Sequence, residues 1–286
     1  MAGIQSHIQE LIVCGWDEVF ILDLATNEGG QPRKVWSWKA TECTDLPDSY
    51  APLYGTTDEC KPFDHGTKIL ITSSRSGIAY VDRHQNKVLF YGRAANAHSA
   101  DILPDNRVAV AASHDPKGQG DRLILFDLNQ SDQPLWHDPL FWGHGVVWDD
   151  RRERVWALAT DEIKVYRLKN WYTASPELEQ TSSIALPEGG GHDLVPVPGT
   201  SCLSITTRST CWLFDRDTEV LSAHPDFAGQ PEVKCISQHP ETGQIVYIQG
   251  EGGHWWAERL HFLNPEDTYH VPGEHFYKAR WNVRLE

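Results

Sequence analysis

Five strand-like openings recur along the chain, beginning at Lys61, His98, His144, His192 and Lys234, at spacings of 37, 46, 48 and 42 residues. They read CKPFDHGTKILITS, AHSADILPDNRVAVAAS, GHGVVWDDRRERVWALA, GHDLVPVPGTSCLSITT and VKCISQHPETGQIVYIQ. In each unit a semi-apolar strand and a turn lead to a hydrophobic strand, then a second one, and a more polar strand closes. A period of ~40–45 residues built this way is that of a four-stranded propeller blade. One such sheet cannot bury both of its faces alone, so copies must stack into a ring. Gly, Pro, Asp and Asn bound the runs, and no long segment carries a 3.6-residue period, which argues against a helical or α/β fold. The best helical stretch is the first ten residues. A β-sandwich is the runner-up architecture.

A sixth opening, FYKARWNV with Lys278, stands near the C-terminus with no strands after it. The N-terminal runs LIVCG, EVFILDL and KVWSW have strands but no opening. Joining the two completes one blade and removes free sheet edges. Counted through the termini, Lys278 to Lys61 is 69 residues, which fits one blade plus an insertion at residues 41–59, TECTDLPDSYAPLYGTTDE. The reading is therefore one all-β propeller domain over residues 1–286 with six blades. Seven is the alternative, if the insertion hides a degenerate blade. The chain length alone, at ~150 residues per domain, would have suggested two domains.

The innermost strand of each blade lines the channel, so equivalent positions form a ring. Here the ring is expected to be Lys61, His98, His144, His192, Lys234 and Lys278, with Arg280 two residues further on. A second ring, from loops on the same face, collects Trp16, Arg75, His114, Arg208 and His254, with Trp256 beside them and Gln249 just before its loop. The chain holds 25 basic and 40 acidic residues, a formal charge of −15. That excludes nucleic acid and anionic membrane as expected partners, since both need a basic footprint. A concentration of cations at one mouth is then informative. Like charges across a wet funnel repel by roughly 1–4 kcal/mol per close pair, and a small anionic ligand would relieve this. Of the 12 Trp, Trp36, Trp38, Trp156 and Trp212 lie inside strand runs and read as core. Trp16, Trp142, Trp255, Trp256 and Trp281 lie near the expected mouth, where indole faces stack on sugars.

Three neutral imidazoles, His98, His144 and His192, would bind a divalent metal, with Gln249 or water completing the shell. The chain has no HExxH, GxSxG or P-loop, and its Gly-rich GQGDR and GEGGH segments open no helix. β-Elimination of a 4-linked uronic acid fits the residue types better. The carboxylate must be neutralised while a base takes the C5 proton and an acid protonates the leaving oxygen. His98, His144 and His192 are the expected catalytic residues. Lys61, Arg75, His114, Arg208, Lys234, His254, Trp256, Lys278 and Arg280 are the expected substrate-binding ones.

The AHSADILPDNRVAVAAS, GHGVVWDD…RVWALA, GGHDLVPVPG, VKCISQHP and FYKARWNV segments resemble small secreted propeller polysaccharide lyases, above all the fungal L-rhamnose-α-1,4-D-glucuronate lyases. The resemblance spans most of residues 10–282. It implies a propeller, usually seven-bladed, that releases rhamnose from glucuronate on gum arabic side chains. It also implies an unsaturated uronic product and room for a calcium ion in the tunnel. The oligogalacturonate lyases are a more distant analogy, with a metal held by His and Gln; His98, His144, His192 and Gln249 would play those parts.

No run of ~18 apolar residues is present, so no membrane span is expected. The N-terminus lacks the basic and apolar regions of a signal peptide. None of the six Cys forms CxxC; Cys43 with Cys60, and Cys202 with Cys211, are candidate disulfides, with reduced thiols the alternative. With the sequon at Asn129, the expectation is a secreted monomer acting on an acidic polysaccharide or oligosaccharide. A non-catalytic lectin-like propeller and a protein-interaction propeller of WD40 type are the alternatives.

Overall fold

The computed structural model describes residues 9–28 and 31–283. The helical tendency of residues 1–8 lies outside the described residues. Six four-stranded antiparallel sheets form a β-propeller, and among the described residues the helical content is two short 3-10 turns. Blade 1 runs outward from Lys278–Trp281 through Glu10–Gly15 and Glu18–Glu28 to Gln31–Trp38. The other blades are continuous in sequence, with inner strands Thr57–Phe63, Ala97–Leu103, Gly145–Asp149, Asp193–Pro196 and Val233–Gln238. The six-blade reading and the closure by the C-terminal strand both hold, and seven blades are excluded. The insertion at 41–59 is not a blade. It forms the two 3-10 turns, Ala40–Glu42 and Ala51–Tyr54, and then the start of the second inner strand. Its Leu46, Tyr50 and Tyr54 pack into the core between blades 1 and 2.

Period-two alternation builds the ring. In the second strand of blade 1, Ile12 and Cys14 face the cluster shared with blade 2, while Leu11 and Val13 face the cluster shared with blade 6. The same split recurs in blade 3, where Val108 and Val110 pack towards blade 2 and Ala109 and Ala111 towards blade 4. Each strand therefore supplies both neighbours with apolar surface, and six interblade cores close the circle.

The closing strand is pinned by pairing Lys278 with Cys14 and Arg280 with Ile12. Gly15 ends the partner strand where the chain leading into the closing strand passes close by. A Cβ at Gly15 would lie 1.7 Å from the His275 carbonyl oxygen. Gly15→Ala must push that segment away, so we expect a loss of about 1–3 kcal/mol, read as a lower urea midpoint. An unchanged midpoint would show that the closure tolerates displacement there.

The candidate disulfides do not form: all six cysteines are free. In the hairpin carrying Cys202 and Cys211, Cys202 sits opposite Asp215 and Cys211 opposite Thr206, so the two lie at opposite ends. Cys60 is buried with its thiol directed at the Ile12 carbonyl rather than at Cys43.

A histidine cup above a buried ion plug

Strand register gives the channel three levels. At the upper level, three inner strands carry a β-bulge, and the bulged residues are Asp58, His98 and Lys234. In the other three blades His144, His192 and Tyr277 immediately precede the inner strand, each with its backbone N–H bonded to the neighbouring strand. These six side chains meet in one cup of about 310 Å³, together with Ser74, Asn96 and Trp255. The expected ring is thus right at His98, His144, His192 and Lys234, and wrong at Lys61 and Lys278. Asp58 and Tyr277 hold those two places. Bulges put one extra residue in a strand, and a shift of register along a strand carries a side chain to another level and, when odd, to the other face.

Lys278 belongs to the middle level. There Glu59, Asp193, Lys278 and Arg280 are all within 2% of complete burial. Arg280 bridges both acids, at 3.0 Å from Glu59 and 2.6 Å from Asp193, and Lys278 Nζ lies 3.4 Å and 3.2 Å from the same two. Ser99 donates to Glu59 at 3.0 Å. Burial pushes Glu59 up, but Arg280, Lys278 and Lys61 more than reverse it, so its carboxyl sits below the usual range. Asp193 is held down in the same way against its own burial. Lys278 and Arg280 are therefore spent on internal carboxylates and do not face substrate from the cup. Lys61 is lower still, donating to the Val146 carbonyl at 2.5 Å and standing 3.5 Å from Asp101. With Arg280 it lines a small cavity of about 60 Å³ at the opposite end of the channel.

In the cup, Nδ1 of His98 and Nδ1 of His144 lie 3.0 Å and 2.7 Å from the carbonyls of Asn96 and Trp142. Carbonyls only accept, so both rings carry a proton on Nδ1, and the His144 ring, held uncharged, keeps a lone pair on Nε2. His98 packs edge-on to His144 at 4.3 Å between centroids, and His144 to His192 at 5.4 Å. Burial, then the charges of His98 and His192, holds His144 well below the ordinary histidine range. Burial and the charge of Lys234 push His192 down to about 3, with His98, Lys278 and Arg208 adding to it. Lys234 donates to Glu232 at 2.8 Å and towards His192 Nε2 at 3.4 Å. The His192 Nδ1 is buried without a hydrogen-bond partner among the described residues. Asp58 is pushed up by burial, which His98 and the Ser74 amide only partly offset, and its Oδ1 stands 3.7 Å from His98 Nε2.

The cationic funnel read from the sequence is therefore largely neutralised. The His144 and His192 rings are uncharged near neutrality, and Lys61, Lys234, Lys278 and Arg280 each face a carboxylate. The cup offers imidazoles, the Asp58 carboxyl, the Ser74 and Tyr277 hydroxyls, the Asn96 amide and one ammonium. Gln249 lies elsewhere, its amide donating to Pro231 at 2.8 Å, and among the described residues no three His, Cys, Asp or Glu side chains form a metal-holding group. Calcium takes six to eight oxygens. A cup of imidazoles with one carboxylate does not fit it.

Around the mouth, His254 stacks on Trp256 and His114 on Trp142. Arg75 is half-buried, its backbone N–H held by Ser73 Oγ at 3.1 Å, and it is not among the residues lining the cup. Trp38 and Trp156 are core, as expected. Trp281 is not at the mouth; it is buried at 2% exposure against His239 and Phe262. Sequence reasoning missed Asp58, Ser74, Asn96 and Tyr277. The TDECKPF run did hold a signal for Asp58, an acidic pair placed where the other openings begin with His or Lys.

Fold and site together define a six-bladed propeller with a blind polar cup on its axis. The chain belongs to the family described as "Family of unknown function (DUF6528)", whose profile matches residues 18–285. No curated protein matches the sequence. Among solved structures, the ring is similar to a chain in the crystal structure of a nidogen/laminin complex. The two share 12% identity over 95% of this chain and 97% of that one, with a TM-score of 0.63. At this identity the likeness concerns the fold alone.

Proposed function

We propose that the cup is the active site of a lyase that cleaves uronic-acid-bearing saccharides by β-elimination, with the rhamnose–glucuronate linkage of gum arabic-type arabinogalactan as the substrate. The observation that carries this reading is His144, anchored through Nδ1 with Nε2 left as a proton acceptor, in one cup with His98, Lys234 and Tyr277. The uronate carboxylate would lie against Lys234, with Arg208 close enough to be felt at His192. His144 Nε2 would take the C5 proton. The C5–H electrons form the C4–C5 double bond, the C4–O4 bond breaks, and the Tyr277 hydroxyl supplies the proton to the departing O4. Bound carboxylate works in favour of the base. A nearby negative charge raises an imidazole pKa, so His144 becomes a better acceptor when the substrate is in place.

A second reading, a lectin-like propeller that binds without cleaving, draws on the pairing of Lys234 with Glu232, which weakens its claim on a ligand carboxylate. Incubation with gum arabic separates the two. The lyase gives free rhamnose together with the ultraviolet absorbance of a 4,5-unsaturated uronate. Saccharide binding with neither product leaves the second reading.

A further inference from the structure

Aromatic rings run outward from the cup along one side of the mouth. Tyr277 meets Trp255 edge-on at 5.3 Å, and Trp255 stacks on Trp16 at 5.7 Å. Trp16 stacks on His275 at 4.3 Å, His275 meets Trp256 at 4.0 Å, and Trp256 stacks on His254 at 4.6 Å. The row ends in an open groove of about 570 Å³ that also contains Glu251 and Arg259, paired at 2.8 Å. A shorter row stands elsewhere on the rim, where His114 and Trp142 stack at 5.1 Å and 9°. Asp121 grips this pair, accepting from the Trp142 backbone N–H at 2.8 Å and lying 2.9 Å from His114 Nδ1. The long row comes from blades 1 and 6 and the loop between them, and the short one from blade 3 and the loop leading into blade 4. In a ring of six, those positions face each other across the cup.

Packing alone does not account for these rings. Trp16 and Trp142 are 41% and 42% exposed. Both have left-handed backbones, at φ 50° and φ 49°, a conformation that disfavours bulky side chains and that Gly or Asn would satisfy more easily. Backbone strain of this kind collects at ligand-binding sites.

We propose that the two rows are saccharide-stacking subsites on opposite sides of the cup, so that a bound chain crosses the mouth. The His114–Trp142 pair takes one pyranose, and the long row takes several on the other side. Indole faces match the C–H faces of sugars, while carboxylates and guanidinium at the edges reach hydroxyls. Each row is continuous with the cup: the long one through Trp255 and Tyr277, the short one through the Trp142 carbonyl that faces His144 Nδ1. The occupant is the remainder of the saccharide whose uronate sits in the cup, and the inference rests on the saccharide reading above, though not on cleavage.

Calorimetric titration with rhamnosyl-glucuronate disaccharide and with a longer gum arabic oligosaccharide tests it, using the wild type, Trp16→Asn and Trp142→Asn. Asn tolerates the left-handed backbone, so both variants should melt near the wild type. Trp142→Asn should weaken both ligands about tenfold, a loss of about 1.4 kcal/mol. Trp16→Asn should weaken the longer ligand by a similar factor and leave the disaccharide unchanged. Unchanged affinities in either variant, an equal loss on both ligands in Trp16→Asn, or no binding to the wild type would overturn the proposal. Binding that responds as expected with no unsaturated product would sustain it while removing the lyase reading.

Discussion

Glu59→Gln should lower the free energy of unfolding by about 3–5 kcal/mol, the cost of removing one partner from a buried ion pair. The variant leaves Lys278 and Arg280, both buried, sharing the single carboxylate of Asp193. A typical domain has only about 5–15 kcal/mol in total, so the urea midpoint should fall steeply. An unchanged midpoint would mean that the plug is not under electrostatic constraint. The same groups set the acid limit. Glu59 and Asp193 have folded pKa values below their unfolded ones, so their contribution is fully present above about pH 4 and is lost as pH falls through the folded values. His144 and His192 are also depressed, by burial first. Their contribution is complete above about pH 6.5 and declines below it, for His192 down to about pH 3. Stability should therefore begin to drop in the histidine range, before the carboxylates titrate. A stability profile flat from pH 7 to about pH 5 would contradict the buried neutral imidazoles.

His144→Ala should reduce formation of the unsaturated uronate by about 10²–10⁴-fold, the usual contribution of a positioned base, with the melting temperature and saccharide affinity close to wild type. The His144 ring lies between those of His98 and His192. Unchanged product formation would remove it from the chemistry. Loss of binding together with activity would instead make it a ligand contact.

The blades were legible because hydrophobic strands and turns repeat at a period that survives local irregularity. The closure was legible from a strand missing at one end and surplus at the other. The site was only partly legible. The openings at His98, His144, His192 and Lys234 mark the right level of the channel. Lys61 and Lys278 match the ring by residue type, but strand phase governs placement: Lys278 is one residue past Tyr277, and before Lys61 the phase is broken by the bulge at Asp58. The pairing of cations was also hidden. Glu59 and Asp193 sit far apart in sequence from Lys278 and Arg280, and only ring closure brings them together.

That closure has a consequence for how anything could move through the molecule. Glu59, Asp193, Lys278 and Arg280 stopper the axis between the cup and the opposite opening. A polymer cannot be threaded from one face to the other. Whatever occupies the cup must arrive and depart by the same aromatic-flanked mouth, so each encounter must end in backing out before the next begins.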